Sequence, residues 1–143
     1  MKTHGTAVWR GGSTDGEGTI TGKSGAIAKV AFGSPIPHQF EKKGETNPEE
    51  LLAGAHVTCY TLTLAHLLQK AGLKPERLEA TAEITLEKGS TGLTMPSSHL
   101  TLKAKIPGAD RAKFEELAEK ARTGCFIGQH LKLAITLDAA LEN

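Results

Sequence analysis

Two cysteines in a chain of 143 residues are far too few to staple a fold together, so a disulfide scaffold is excluded. An excess of either charge is missing too. Seventeen Lys and Arg stand against sixteen Asp and Glu, a net charge of +1, which offers no electrostatic case for nucleic acid, an anionic membrane or an acidic substrate. No stretch reads as the roughly 18 apolar residues of a membrane span. The opening MKTHGTAVWRGG lacks the apolar core of a signal peptide. The expectation is a cytoplasmic protein with no membrane partner, in a compartment where thiols stay reduced. A Gly-rich phosphate loop, a nucleophile elbow and a dinucleotide fingerprint are all absent. His4, His38, His66, His99 and His130 are scattered without the spacing of a zinc site, so neither metal nor cofactor is expected.

What is present has the length of one ordinary domain, residues 1–143. The first third is Gly-rich, and THGTAVWRG, GEGTITG and AIAKVAFG read as short strands between Gly turns. Ser34–Thr46 reads as a loop. Asn47 then suits an N-cap, Pro48 the first helical position, and Glu49 and Glu50 the positive end of the dipole. This helix is expected to run to about Ala71, with Gly72 as its stop. Its apolar residues cover more than one stripe, which predicts burial or a partner on a second face. In Leu78–Glu87 apolar residues alternate with Glu and Thr, and His99–Ile106 alternates too, so both read as half-buried strands. GSTGL between them reads as a turn. Asp110 caps a second helix with Phe114, Leu117, Ala118 and Ala121 on one face, ended by Gly124. One further short helix over Cys125 to about Leu131, then a last strand over Leu133–Leu141, complete the pattern. Strands in runs make this an α+β fold with a mainly antiparallel sheet.

The two cysteines carry the chemical question. Cys59 sits in the middle of the long helix and can be simple core filler, since free cysteine behaves as a small hydrophobe. Cys125 follows a helix-ending Gly and stands where it can cap the next helix, a place that favours the thiolate. Only proximity makes them a redox pair, and separation in sequence cannot show it. His56, three residues before Cys59, can be a base for its thiol or a core histidine with one hydrogen bond. Glu49 has a plain role as a dipole partner. Ten residues of helix rise roughly 15 Å, so Glu49 cannot touch the Cys59 of its own helix.

TNPEELLAGAHVTCYTLTLA (Thr46–Ala65) followed by KARTGCFIGQHLKLAITLDAAL (Lys120–Leu141) closely resembles the OsmC/Ohr family, the osmotically inducible protein C and organic hydroperoxide resistance proteins. The likeness covers essentially the whole chain. HVTC and the Trp of AVW resemble the OsmC branch more than the Ohr branch. The resemblance implies an intertwined homodimer of OsmC-like fold, mainly antiparallel sheet around two central helices. It implies a metal-free, cofactor-free thiol peroxidase acting on organic hydroperoxides, and less well on hydrogen peroxide, in oxidative or osmotic stress. By likeness Cys59 is the peroxidatic cysteine, Cys125 the resolving one, and Glu49 the family's active-site glutamate, reaching the thiols at the dimer interface. The reductant implied is an external dithiol, by family likeness a lipoylated protein. Gln39 and Phe40 then belong with substrate binding, as does Phe126.

Two positions depart from that pattern. Where the family usually has an Arg before NPEEL, this chain has Gln39, which can donate a hydrogen bond but cannot stabilise a thiolate as a cation does. Arg10, Lys42 or Lys43 would have to substitute for it. Where the family commonly has Pro after the resolving cysteine, this chain has Phe126. The first departure sustains a rival reading: a non-enzymatic protein of the same fold that binds a small apolar ligand, its peroxidase chemistry weakened. A second rival is a structural dimer with two inert thiols.

Overall fold

A computed structural model describes residues 1–33 and 43–143. Gln39, Phe40 and Lys42 lie outside the described residues. By contact the chain forms two compact units, Met1–Leu51 and Leu52–Asn143. The boundary falls in the first turns of the long helix.

The first unit holds the three expected Gly-bounded strands, β1 (Gly5–Arg10), β2 (Glu17–Gly22) and β3 (Val30–Phe32), in one antiparallel sheet with β2 in the middle. Gly18 pairs with Trp9 on one side and Phe32 on the other. The two rings meet above it with centroids 5.6 Å apart. A Cβ on Gly18 would lie 2.6 Å from the Phe32 ring and 2.7 Å from that of Trp9, so only glycine lets the aromatic pair close over the strand. β1 is exposed along its whole length.

The long helix α1 (Pro48–Lys70) begins and ends as its sequence dictates. The Asn47 side chain accepts from the Glu50 N–H at 2.8 Å, and the Thr46 hydroxyl donates to the Glu50 carboxylate at 2.6 Å. At the other end Gly72 takes φ +73°. Its N–H bonds the Gln69 carbonyl and that of Leu73 the Leu68 carbonyl, the paired bonds of a Schellman stop. One stripe of α1 is buried, His56, Tyr60, Leu64 and Leu68 at four-residue spacing. Leu62 on the far side is 72% exposed. By length and composition this helix could cross a membrane, which corrects the expectation that no window comes close. Its threonines and His56 break up the apolar run but are too few to offset its leucines and alanines.

The second unit is built on the hairpin of β4 (Arg77–Gly89) and β5 (Gly92–Lys105), with β6 (Ala134–Leu141) parallel to β5 on its other edge. Gly89 pairs with Gly92, so the expected turn shrinks to Ser90–Thr91 and both strands run longer than the alternation suggested. Pro96 cannot donate to a ladder. It sits in a bulge where Met95 and Pro96 together face Leu86, between the pairs Thr85–Ser97 and Glu87–Thr94. On β5, Ser98, Leu100, Leu102 and Ala104 point inward and are fully buried. They share a core with the α1 stripe and with Phe114, Leu117, Ala118 and Ala121 of α2 (Arg111–Gly124). These are the four residues that periodicity assigned to the inner face of α2. The Asp110 side chain caps this helix by accepting from the Lys113 N–H at 2.9 Å. A one-turn helix, α3 (Phe126–Gln129), links α2 to β6.

Candidate functional site

Both cysteines belong to the second unit, and the fold brings them together. Cys59 lies half-buried on α1, one turn beyond His56. Cys125 is fully buried and is the N-cap of α3, in extended conformation with φ −63° and ψ 118°. Its sulfur accepts from the Gly128 N–H at 3.5 Å and faces the His56 carbonyl at 4.0 Å. Both thiols are free; they stand near enough to shift one another's pKa but not at disulfide distance.

The two environments push the thiols in opposite directions. Burial raises the pKa of Cys59, but the Ile127 N–H, the Cys125 thiol and the Phe126 N–H, with the nearby Thr63 hydroxyl, lower it and outweigh burial; the Thr63 hydroxyl itself donates to the Cys59 carbonyl at 2.8 Å. The net shift is downward, toward the thiolate. Cys125 is shifted upward, first by burial; the Gly128 N–H works against that, while the neighbouring Cys59 adds to it. A lowered thiol beside a raised one means that Cys59 ionises before Cys125.

His56 is the core histidine with one hydrogen bond. It is fully buried, and its Nδ1 lies 2.8 Å from the hydroxyl of buried Ser98. Its Nε2 is shielded and has no hydrogen-bond partner among the described residues. Burial lowers its pKa, which keeps the ring neutral. Phe126 is 65% exposed, with its ring 4.6 Å from that of His130. Glu49 belongs to the first unit. Its Oε2 is shielded and unpartnered among the described residues. Glu50, by contrast, is occupied in capping. Among the described residues no three His, Cys, Asp or Glu side chains are placed to hold a metal ion. Sequence reasoning missed the main-chain donors of α3 and the roles of Thr63 and Ser98. A short helix capped by a cysteine was the signal available for the first of these.

The profile of the family described as OsmC-like protein matches residues 41–140. The chain belongs to the OsmC-like family. It is 34% identical over 139 residues to a protein of Escherichia coli named peroxiredoxin OsmC, covering 97% of this chain and 96% of that one. Among solved structures, an OsmC-like protein of unknown function from Vibrio cholerae superposes with a TM-score of 0.82 at 17% identity, over 98% of this chain and 99% of the other. The organic hydroperoxide resistance protein OhrB of Bacillus subtilis does so with a TM-score of 0.66 at 22% identity, over 97% and 98%. These likenesses fix the OsmC-like fold, an α+β architecture whose strand pairs are antiparallel apart from β5 with β6.

Proposed function

We propose that this OsmC-like protein is a cysteine-based peroxidase that reduces organic hydroperoxides through Cys59 and Cys125. The observation that carries the reading is the placement of two free cysteines, Cys59 on α1 beside the start of α3 where Cys125 is the buried N-cap, with Cys59 the one whose pKa is lowered. The name of the Escherichia coli relative, peroxiredoxin OsmC, supports the same class. The Cys59 thiolate attacks the distal peroxide oxygen; an S–O bond forms, the O–O bond breaks, and the alkoxide leaves and takes up a proton as alcohol. Cys59 is now a sulfenic acid. The Cys125 sulfur attacks it, an S–S bond forms, and the hydroxyl leaves with the thiol proton as water. An external dithiol, on a lipoylated protein or a small molecule, restores both thiols. An alkyl tail adds buried apolar area that hydrogen peroxide lacks, and Phe126, Phe40 and Gln39 are the residues we assign to receive it.

The reading includes a homodimer. Val8, Trp9 and Val30 of the first sheet and Leu62 of α1 are large apolar side chains left exposed in the single chain, and a second copy would cover them. In that dimer Glu49 serves the thiols of the other protomer, which overcomes the roughly 15 Å along its own helix. Peroxide consumption with a dithiol reductant tests the reading on wild type, Cys59→Ser and Cys125→Ser. Wild type turns over, Cys59→Ser does not, and Cys125→Ser stops at a sulfenic acid. Turnover by Cys59→Ser sinks the mechanism. Absence of turnover in wild type leaves the ligand-binding alternative.

A further inference from the structure

We infer that His56, locked by Ser98, is a positioning residue that holds the α3 turn so that the Cys125 sulfur stands against Cys59. The inference rests on the peroxidase reading above. α3 is a single turn, too short to hold its own geometry, yet it carries Cys125 and the Gly128 N–H that bonds it. His56 meets this turn at two points. Its main-chain carbonyl lies 4.0 Å from the Cys125 sulfur. Its ring edge abuts Gly128, where an added Cβ would come within 3.1 Å of both Nε2 and the Ile135 side chain.

The ring itself is pinned from the other side by the Ser98 hydroxyl at 2.8 Å, and Ser98 stands on β5, the central strand of its sheet. A continuous line of contacts thus runs from β5 through Ser98 and His56 to Gly128 and Cys125. One element of the pair does not serve stability. Among the described residues Nε2 is buried without a partner, and an apolar side chain of similar size would fill the space without that cost. A flat, rigid ring fixed at one nitrogen sets the seat of α3 more sharply than a flexible aliphatic chain could. The same turn brings the Phe126 and Ile127 N–H groups to Cys59, so the role bears on the thiolate in the first step through its pKa and on the second step directly, where the Cys125 sulfur must reach the sulfenic acid.

The experiment separates the two steps in a single turnover with one equivalent of an alkyl hydroperoxide. Sulfenic acid is trapped with dimedone and the disulfide is followed by loss of free thiols. In Ser98→Ala, sulfenic acid should form more slowly near neutral pH and recover at alkaline pH, as the α3 donors to Cys59 loosen, while disulfide formation slows about tenfold or more at both, the scale of loss when a reacting group is misplaced. Ser98→Thr keeps the hydroxyl and should restore the second step. Ser98→Val, which fills the space without a hydroxyl, replaces Ser98→Ala if that variant does not fold. Disulfide formation that is not slowed, or a slowing of the second step that alkaline pH removes along with that of the first, overturns the inference while leaving the peroxidase reading intact. Failure of the wild type to form sulfenic acid overturns both. A second measurement needs no variant: the ¹⁵N shift of His56 Nε2 should change when wild type passes from dithiol to disulfide, and an unchanged shift counts against the contact with α3.

Discussion

Replacing Phe126 by proline should raise the Cys59 pKa, and the structure indicates that little else would change. The residue is the first of α3, the helical position where proline is best tolerated. Cys125 before it already has φ −63° and ψ 118°, close to the extended conformation a pre-proline residue requires. What proline removes is the Phe126 N–H, which with that of Ile127 lowers the pKa of Cys59, together with the Phe126–His130 ring contact. Phe126→Ala removes the ring and keeps the N–H, so the difference between the two variants isolates the amide. A hydrogen bond to a charged group is worth about 1.5–3 kcal/mol. Cys59 is only half-buried, so the lower end applies, about a tenfold loss of thiolate at any pH below its pKa. Ultraviolet absorbance of the thiolate reads this directly. Cys125 is shifted upward, so the lower-pH step reports chiefly on Cys59. Peroxide reduction near neutrality should fall about tenfold in Phe126→Pro and recover at alkaline pH. If Phe126→Pro and Phe126→Ala titrate alike, the main-chain account of thiolate stabilisation is wrong.

Three other outcomes are expected. Leu64→Ala opens a cavity between α1 and the second sheet, since Leu64 has no exposed surface; denaturant unfolding should show a loss of about 2–5 kcal/mol, and a loss below about 1 kcal/mol would contradict the packing described. His56 has a lowered folded-state pKa, so below about pH 6.5 the unfolded chain binds a proton that the folded chain resists, and stability falls as pH falls. Thermal melts across that range should slope accordingly in wild type and flatten in His56→Gln; identical slopes would mean that His56 is not buried neutral. Sedimentation at micromolar concentration should give a dimer, and Leu62→Glu, on the exposed side of α1, should shift it toward monomer; a wild-type monomer would refute the covered-face argument.

How much of this was legible in the sequence depends on the range of the interactions involved. The caps at Asn47 and Asp110, the stop at Gly72 and the inner face of α2 all rest on contacts within a few residues, and each stands where local chemistry put it. The alternation in Leu78–Glu87 marked which side of β4 turns inward. Alternation carries no sign of strand direction, however, so the parallel pairing of β6 with β5 was not readable. The hairpin runs longer than the alternation of its strands, because a bulge opposite Leu86 lets the ladder pass Pro96. At the site, Cys59 and Cys125 were legible as residues but not as neighbours. The donors from Phe126 and Ile127 cross more than sixty positions of chain to reach Cys59, and the hydroxyl that pins His56 comes from forty-two positions away. Ser98 itself carried no signal, because its hydroxyl matters only through the ring it faces.

The pairing of β6 with β5 also dictates the order in which the chain can mature. β5 is the middle strand of its sheet, but the neighbour on its second edge, β6, leaves the ribosome only after α2 and α3. Until Ala134–Leu141 emerge, β5 presents an open row of hydrogen-bonding groups beside Leu100, Leu102 and Ala104, the pattern that recruits a foreign strand. Closing that edge requires the crossover through α2 and α3 first, a non-local step that slows folding. The tail then fastens the closure: the Glu142 N–H bonds the Ala104 carbonyl, and the Asn143 amide both donates to and accepts from the backbone of Ile106. The half-made protein therefore carries Cys59 for some seventy residues of synthesis before the strand that closes the sheet over its partner thiol exists. Removing Ala134–Leu141 should leave that edge open and make the product aggregate, with Cys59 free to form disulfides between chains.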